Sequence, residues 1–430
     1  MTVSVRQRAR GEGGATPPQP DVVLLSANDW TALPTSKQHL ASVLSRTGRV
    51  LYVDPPLDLA SVLGRPRRWA KLARLRRAWD GPWVLSQVPL VHPSSPRSRE
   101  AFHRRSAPAV RRAARRVGVE RPVVWAFSPE HAGTAGLLGE RLLVYHAADD
   151  PASMSRHPDA TAALEARMLS VADLVFVSSE ALLESRRAVA GSKVHRLPNA
   201  ADRRHYARAL CGDPGATADA LLAAVRAKRA APPGLPGDGR PVVLYGGAAY
   251  AWFDWDLLAA AAALRPDWLF ALVGPTGGRA PSAALPGNVV TVGRRPYAEF
   301  PLYVAAADVA VLPWRESAFS RHADPIVLYE YLLCGKPVVA TPFPAALERG
   351  PLVRTASGPD AFVAQCEEAI AEPQGSGLAA ARTRFAFANS WEDRAATALA
   401  LIGEALARTS APSGAGGEAP GAVARAARLW

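Results

Sequence analysis

Arg321–Thr341 reads RHADPIVLYEYLLCGKPVVAT. Pro325 fixes φ at a value suited to the start of a helix. Ile326–Leu333 then continues in good helix formers until Gly335 offers a C-terminal stop and Lys336-Pro337 closes it. Val338-Val339-Ala340 reads as a buried parallel strand, and Asp308–Leu312 (DVAVL) as the strand before it. The helix of such a strand–helix–strand unit begins at the C-terminal edge of the sheet, where doubly wound folds bind their ligands. The N–H groups of Ile326, Val327 and Leu328 are expected to lack intrahelical partners and to carry the positive end of the dipole, which stabilises a phosphate. Glu330 lies one turn further in, where a carboxylate can accept hydrogen bonds from the two vicinal hydroxyls of a ribose. The spacing alone fits a solvated glutamate on an ordinary helix equally well.

Working outward, the 430 residues are long for one core, so two domains are expected. An apolar fraction of 49% excludes a disordered chain. Three widely spaced cysteines, Cys211, Cys334 and Cys366, fit neither a disulfide framework nor a zinc site, and a reducing cytosol is the simplest setting. The first twenty residues lack an apolar h-region, and no later apolar run approaches the ~20 residues of a spanning helix. The formal charge of +13 is unevenly placed. Gly64–Arg121 carries sixteen Arg or Lys against three acids, an excess equal to that of the whole chain. A basic face on one lobe implies an anionic partner, whether lipid headgroups, nucleic acid or a phosphorylated acceptor.

Residues 1–20 read as a disordered basic leader. Asp21–Ser26 and Arg49–Val53 read as strands around a helix starting near Thr35-Ser36, the opening of a Rossmann-like sheet without the G-x-G-x-x-G fingerprint. Gly64–Trp79, GRPRRWAKLARLRRAW, is read as a helix with Trp69, Leu72, Ala73, Leu75 and Trp79 on one side and basic residues on the rest. That pattern suits an anionic membrane interface through Arg65–Trp79, or a solvated surface helix. Ser98–Arg116 reads as a second basic helix. Further strands are expected at Trp83–Val91, Val123–Phe127, Leu142–Tyr145, Asp173–Ser178 and Val194–Leu197. His146 and Asp149 emerge at the C-terminal edge of the sheet, where ligands gather.

Ala231–Arg240 (APPGLPGDGR) is linker-like. The second lobe restarts with Val242–Tyr245, ending in Gly246-Gly247, where a backbone without side chains can approach a diphosphate closely. Strands follow at Leu269–Val273 and Val289–Val292. Asp254-Trp255-Asp256 invites a metal-binding reading, but helix capping explains both acids more cheaply. Ser390 and Asp393 head a helix to about Arg408, in the manner of a capping box. The expected domains are thus an N-terminal lobe at 21–205, helix and linker at 206–240, a second lobe at 241–388, a crossover helix at 389–409 and a disordered tail at 410–430.

The stretch DPIVLYEYLLCGKPVVAT resembles the donor-site helix of retaining, nucleotide-sugar-dependent glycosyltransferases with the GT-B fold, family 4-like, especially the bacterial teichuronic-acid-type branch. The resemblance implies an α/β fold of two Rossmann-like doubly wound domains facing a cleft, with the C-terminal helix crossing back to the first lobe. In such enzymes two glutamates eight residues apart flank this helix start. Glu330 matches the one on the ribose, and His322 stands where the sugar-side one is usual. A lysine is also common where this chain has Val327, and the cation usual after the Gly246-Gly247 loop is missing, with Arg294, Arg315 or Arg321 as replacements. The resemblance assigns donor binding to Gly246, Gly247, Arg295, Pro296, Tyr297, Arg321, His322, Pro325, Ile326, Val327, Tyr329 and Glu330. The Arg295–Tyr297 loop would hold the nucleobase through backbone groups. His146 and Asp149 would bind the sugar or orient an acceptor hydroxyl. Asn28, Asp29, Trp30 and His39 become acceptor candidates, although Trp30 and His39 equally suit a packed core.

The activity implied is transfer of a sugar from a nucleoside diphosphate sugar to a hydroxyl of a glycan, lipid-linked or small-molecule acceptor. The resemblance makes it retaining, with no metal, no cofactor beyond the co-substrate and no nucleic acid. The setting would be cytoplasmic or peripheral on the inner face of the cell membrane, serving cell-envelope polysaccharide. A nucleotide-sugar epimerase of the same fold and a non-enzymatic anion- or nucleic-acid-binding protein are the competing readings. The second is disfavoured by the absence of a recognition motif or interleaved exposed aromatics.

Overall fold

The computed structural model describes residues 19–56, 74–78, 81–87, 95–227, 230–277, 285–373 and 377–410. Within these, short Val- and Leu-rich runs form strands buried along their whole length, as parallel sheets covered on both faces require. The first sheet contains β1 (Val22–Leu25), β2 (Val50–Val53), β3 (Leu75–Arg77), β4 (Trp83–Leu85), β5 (Val123–Ala126), β6 (Leu142–Ala147), β7 (Leu174–Val177) and β8 (Val194–Arg196). Their order is β3-β4-β2-β1-β5-β6-β7-β8, parallel except where β3 meets β4. The second sheet contains β9 (Val242–Gly246), β10 (Leu269–Val273), β11 (Val289–Gly293), β12 (Val309–Leu312), β13 (Val338–Ala340) and β14 (Arg354–Thr355), in the order β11-β10-β9-β12-β13-β14 and parallel throughout.

Both orders reverse direction beside their first strand, between β1 and β5 in one lobe and between β9 and β12 in the other. Loops leaving adjacent strands diverge there and open a crevice. The two crevices face each other.

The chain passes between lobes twice, at one place. Ala201 N–H donates to the Asn389 carbonyl at 3.1 Å, and Trp391 N–H donates to the Ala201 carbonyl at 3.3 Å. Beside this crossing, Asn199 N–H donates to buried Asp324 at 2.7 Å. The crossing precedes the linker-like Ala231–Arg240 stretch. The helices Arg203–Cys211 and Ala218–Ala227 already pack on the second core through Tyr206, Leu221 and Val225.

The returning helix, Trp391–Ser410, starts on the reciprocal Ser390–Asp393 cap. Asp393 N–H donates to Ser390 Oγ at 3.2 Å and Ser390 Oγ donates to Asp393 at 2.6 Å. It buries Trp391, Ala395, Ala398, Ile402 and Ala405 in the first-lobe core shared with Leu40 and Leu44 of the helix Ser36–Leu44 and with Leu142 and Val144 of β6. The C-terminal helix therefore belongs to the first core.

Two expectations change. Leu75–Arg77 is an edge strand paired antiparallel with β4, not part of a helix, because its backbone completes the sheet edge beside Trp83–Leu85. The rest of the Arg65–Trp79 reading, apart from residues 74–78, lies outside the described residues. The strand expected over Trp83–Val91 ends at Leu85. Pro96–Arg116 is helical as read, its arginines mostly exposed and Phe102, Ala107, Val110 and Ala114 buried. Among the described residues no helix is long and apolar enough to cross a membrane.

Candidate active site

The helix Ile326–Leu333 begins at the crevice of the second lobe. Pro325 sits outside it as the N-cap with φ −69° and ψ 124°, and Gly335 ends it in the left-handed region at φ 66°. Leu328 N–H donates to the Pro325 carbonyl at 3.1 Å, so two amides rather than three, those of Ile326 and Val327, are left without a partner among the described residues. Leu328, Tyr329, Tyr331, Leu332 and Leu333 are all buried, which holds the helix rigidly in place.

Glu330 is buried, with 4% of its surface exposed, and accepts a hydrogen bond from the Tyr297 hydroxyl at 2.7 Å. Burial raises its carboxyl to about 7, against the opposing pull of the Tyr297 hydrogen bond and of nearby His39. It is therefore no solvated surface glutamate. The Tyr297 ring stacks on His205 at 4.3 Å and its carbonyl accepts from His205 Nε2 at 3.0 Å. His39 of the first lobe stacks on Trp391 at 5.1 Å and meets the Tyr297 ring edge at 5.6 Å. Its Nδ1 lies 3.3 Å from Asp202, and its buried Nε2 has no partner among the described residues. Glu330, Tyr297, His205, Asp202 and His39 thus join the two lobes through one buried polar cluster.

Two cavities lie side by side on the helix start, and both are lined by Gly247, Ile326 and Val327. One, about 170 Å³, is bounded by Glu330, Arg294, Arg295, Tyr297 and Gly274, with Leu33 and Pro34 of the first lobe opposite. The other, about 270 Å³, is bounded by Gly246, Trp252, Phe319, Pro325 and Asp324, with Lys37 and Asp149 opposite. Gly246 N–H donates to the Tyr331 hydroxyl at 2.6 Å, which fixes the loop after β9. Gly274, at φ 149°, packs so closely that a Cβ there would stand 1.9 Å from the Gly247 carbonyl oxygen. Trp252 stacks on Phe319 at 4.4 Å and gives the second cavity an aromatic wall.

Asp149 is half-buried and held above the usual carboxylate range, since desolvation outweighs the opposing charge of Lys37. His146 lies behind it, packed among Trp125, Phe127 and Phe176. Burial, then the charge of Lys37, depress its pKa to about 3, so it is neutral and does not line either cavity. Asp150 turns away to Arg186 at 2.6 Å.

The remaining candidates scatter. Tyr329 points into a buried network in which its hydroxyl donates to Asp324 at 3.1 Å and accepts from Arg349 at 2.7 Å. His322 Nδ1 lies 2.8 Å from the Ala318 carbonyl of its own helix. Arg321 is exposed and pairs with Glu316 at 3.4 Å, beside an outer groove. Arg315 is taken up by Asp254 and Asp256 at 3.6 and 2.7 Å, while Asp254 also caps the helix Trp255–Leu264, so the D-x-D is structural. Pro296 precedes the single turn Tyr297–Glu299. Trp30 packs edge-on against Tyr52 at 5.0 Å, and its N–H donates to Asp54 at 2.7 Å. Asn28 and Asp29 are used within the same loop: Tyr52 donates to the Asn28 carbonyl at 2.7 Å, and Thr31 N–H donates to Asp29 at 2.8 Å. Sequence reasoning passed over Lys37, Trp252 and Phe319. Lys37 stands two residues before the acceptor candidate His39, and only the fold reveals that its side chain turns into the cleft.

Two doubly wound lobes with a single crossing and a returning terminal helix, closing a cleft over a helix start, define the GT-B architecture. Solved structures agree on the fold. Sucrose-phosphate synthase from Thermosynechococcus elongatus superimposes with a TM-score of 0.63 at 18% identity, covering 91% of this chain and all of that one. Anabaena HepE in complex with UDP gives 0.57 at 16% identity, covering 89% and 100%. Residues 240–372, most of the second lobe, match the family model of group 1 glycosyl transferases. The protein TuaH of Bacillus subtilis (strain 168), named as a teichuronic acid biosynthesis glycosyltransferase, is 25% identical over 222 residues. That match spans 48% of this chain and about half, 51%, of that protein.

Proposed function

We propose that the chain is a glycosyltransferase that moves a sugar from a nucleoside diphosphate sugar to a hydroxyl of a glycan, lipid-linked or small-molecule acceptor. One observation carries the reading. The free amides of Ile326 and Val327 open onto both cavities, and a buried carboxylate, Glu330, lies one turn deeper on the smaller one. A diphosphate fits the first feature and a ribose the second.

The nucleobase then lies by Arg295 and Tyr297, and the sugar enters the larger cavity between the Trp252–Phe319 wall and Asp149. As the glycosidic bond to the diphosphate breaks, the sugar becomes oxocarbenium-like and negative charge grows on the leaving oxygen. Amides already aimed at that position stabilise the charge without reorganising. Holding both partners in the closed cleft supplies the rest. On this account no divalent ion is required and the anomeric configuration is retained.

The test is a thermal-shift panel of nucleoside diphosphate sugars, with UDP compounds first because HepE binds UDP. A ligand at 100 times its dissociation constant raises stability by about 2.7 kcal/mol. Turnover of the stabilising donor with chelator present, and the anomer of the product, settle metal use and stereochemistry. No shift with any nucleotide sugar would falsify the reading.

A further inference from the structure

We infer that Lys37, on the first lobe, is a cation that grips the donor's diphosphate across the cleft. The inference rests on the donor site proposed above.

Among the described residues, Lys37 is the one lysine or arginine that lines the larger cavity. Arg315 is held by Asp254 and Asp256, Arg321 by Glu316 on the outer side, and His322 faces its own helix. Arg294 and Arg295 line the smaller cavity with Tyr297, Ile326 and Val327, and neither lines the larger one that the Trp252–Phe319 wall bounds.

Lys37 is the second residue of the helix Ser36–Leu44, where the positive end of the dipole disfavours a lysine. It is also buried, with 9% of its surface exposed. Among the described residues its ammonium has no hydrogen bond or ion pair, only the Phe127 ring at 5.7 Å and the field of Asp149. A buried cation in this state is costly unless an anion arrives to compensate it.

The geometry supplies the place for that anion. Thr35, Ser36 and Lys37 line the same 270 Å³ cavity as Gly247, Pro325, Ile326 and Val327, so two helix starts and one ammonium converge on one space. Asp149, on the first-lobe side of that cavity, acts on Lys37 through its charge and faces the space assigned to the sugar. Lys37 lies on the lobe opposite the nucleotide's ribose anchor, so the diphosphate it binds also draws the lobes together.

Calorimetry on the full chain tests this with UDP, GDP, ADP and CDP, taking the diphosphate that the wild type binds most tightly and its nucleoside as probes. Lys37→Met is expected to weaken the diphosphate about tenfold or more, the loss of one charge-assisted hydrogen bond, and to leave the nucleoside within about twofold. Lys37→Arg restores most of the affinity. Unchanged diphosphate binding by Lys37→Met, or an equal loss of nucleoside, overturns the role of Lys37 and leaves the donor site standing. If the wild type binds none of the four diphosphates, the donor site falls and this inference with it.

Discussion

Glu330 makes the strongest prediction, because its burial ties donor affinity to pH. Desolvation brings its carboxyl to about 7 in the empty protein, while ribose hydroxyls donate to the ionised form. If that form alone binds, the apparent dissociation constant is multiplied by one plus the ratio of protonated to ionised carboxyl. Affinity then falls about twofold at pH 7 and about elevenfold at pH 6, relative to high pH. The assay is calorimetry with an intact nucleoside diphosphate sugar, whose diphosphate does not titrate in this range, from about pH 5.5 to about pH 8.5.

Glu330→Gln should bind about tenfold or more weakly at the alkaline end and lose the pH dependence. Stability carries the opposite sign. The folded-state pKa lies above the ordinary glutamate value of 4.5, so the contribution of this group is fully present below about 4.5 and is lost as pH rises through about 7. Above pH 7, Glu330→Gln should therefore stabilise the empty protein by about 3 kcal/mol while weakening donor binding. An affinity that is flat or rises as pH falls, or a variant that keeps the wild-type profile, would refute the reasoning.

Three further outcomes are expected. Gly274→Ala forces a Cβ onto the Gly247 carbonyl at a backbone angle reserved for glycine. It should cost about 3 kcal/mol or more in urea unfolding and loosen the donor loop, and an unchanged midpoint would contradict the packing. Arg349→Leu strands Asp324, which Arg349 pairs at 3.1 Å beside the Asn199 crossing, and should cost about 3 to 5 kcal/mol by the same measurement. The reading of Arg65–Trp79 as a membrane-facing basic segment predicts that the protein sediments with anionic liposomes at low salt and is released as salt rises, and indifference to such vesicles would end that reading.

The fold was legible because parallel sheets covered on both faces leave short, uniformly apolar runs, and DVAVL, VVLL and PVVA are such runs. Pro325 and Gly335 bracket their helix because each acts through its own backbone. Ala231–Arg240 advertises a linker, whereas the chain crosses at Asn199–Asp202, an ordinary-looking loop secured by distant Asp324 and Asn389.

The site was partly legible. Glu330, Tyr297 and Gly247 follow the C-terminal ends of β12, β11 and β9, so spacing and fold class bring them together. Lys37 was missed, since its meaning depends on a second lobe approaching from far along the chain. Tyr329 and Arg321 sit beside the helix start in sequence but face other neighbours in space, because successive helical residues point in different directions.

A co-crystal with the nucleoside diphosphate that binds best tests the central claim most directly. The account predicts phosphate oxygens on the amides of Ile326 and Val327, with the ribose hydroxyls on Glu330. A nucleotide lodged in any other part of the molecule would contradict it.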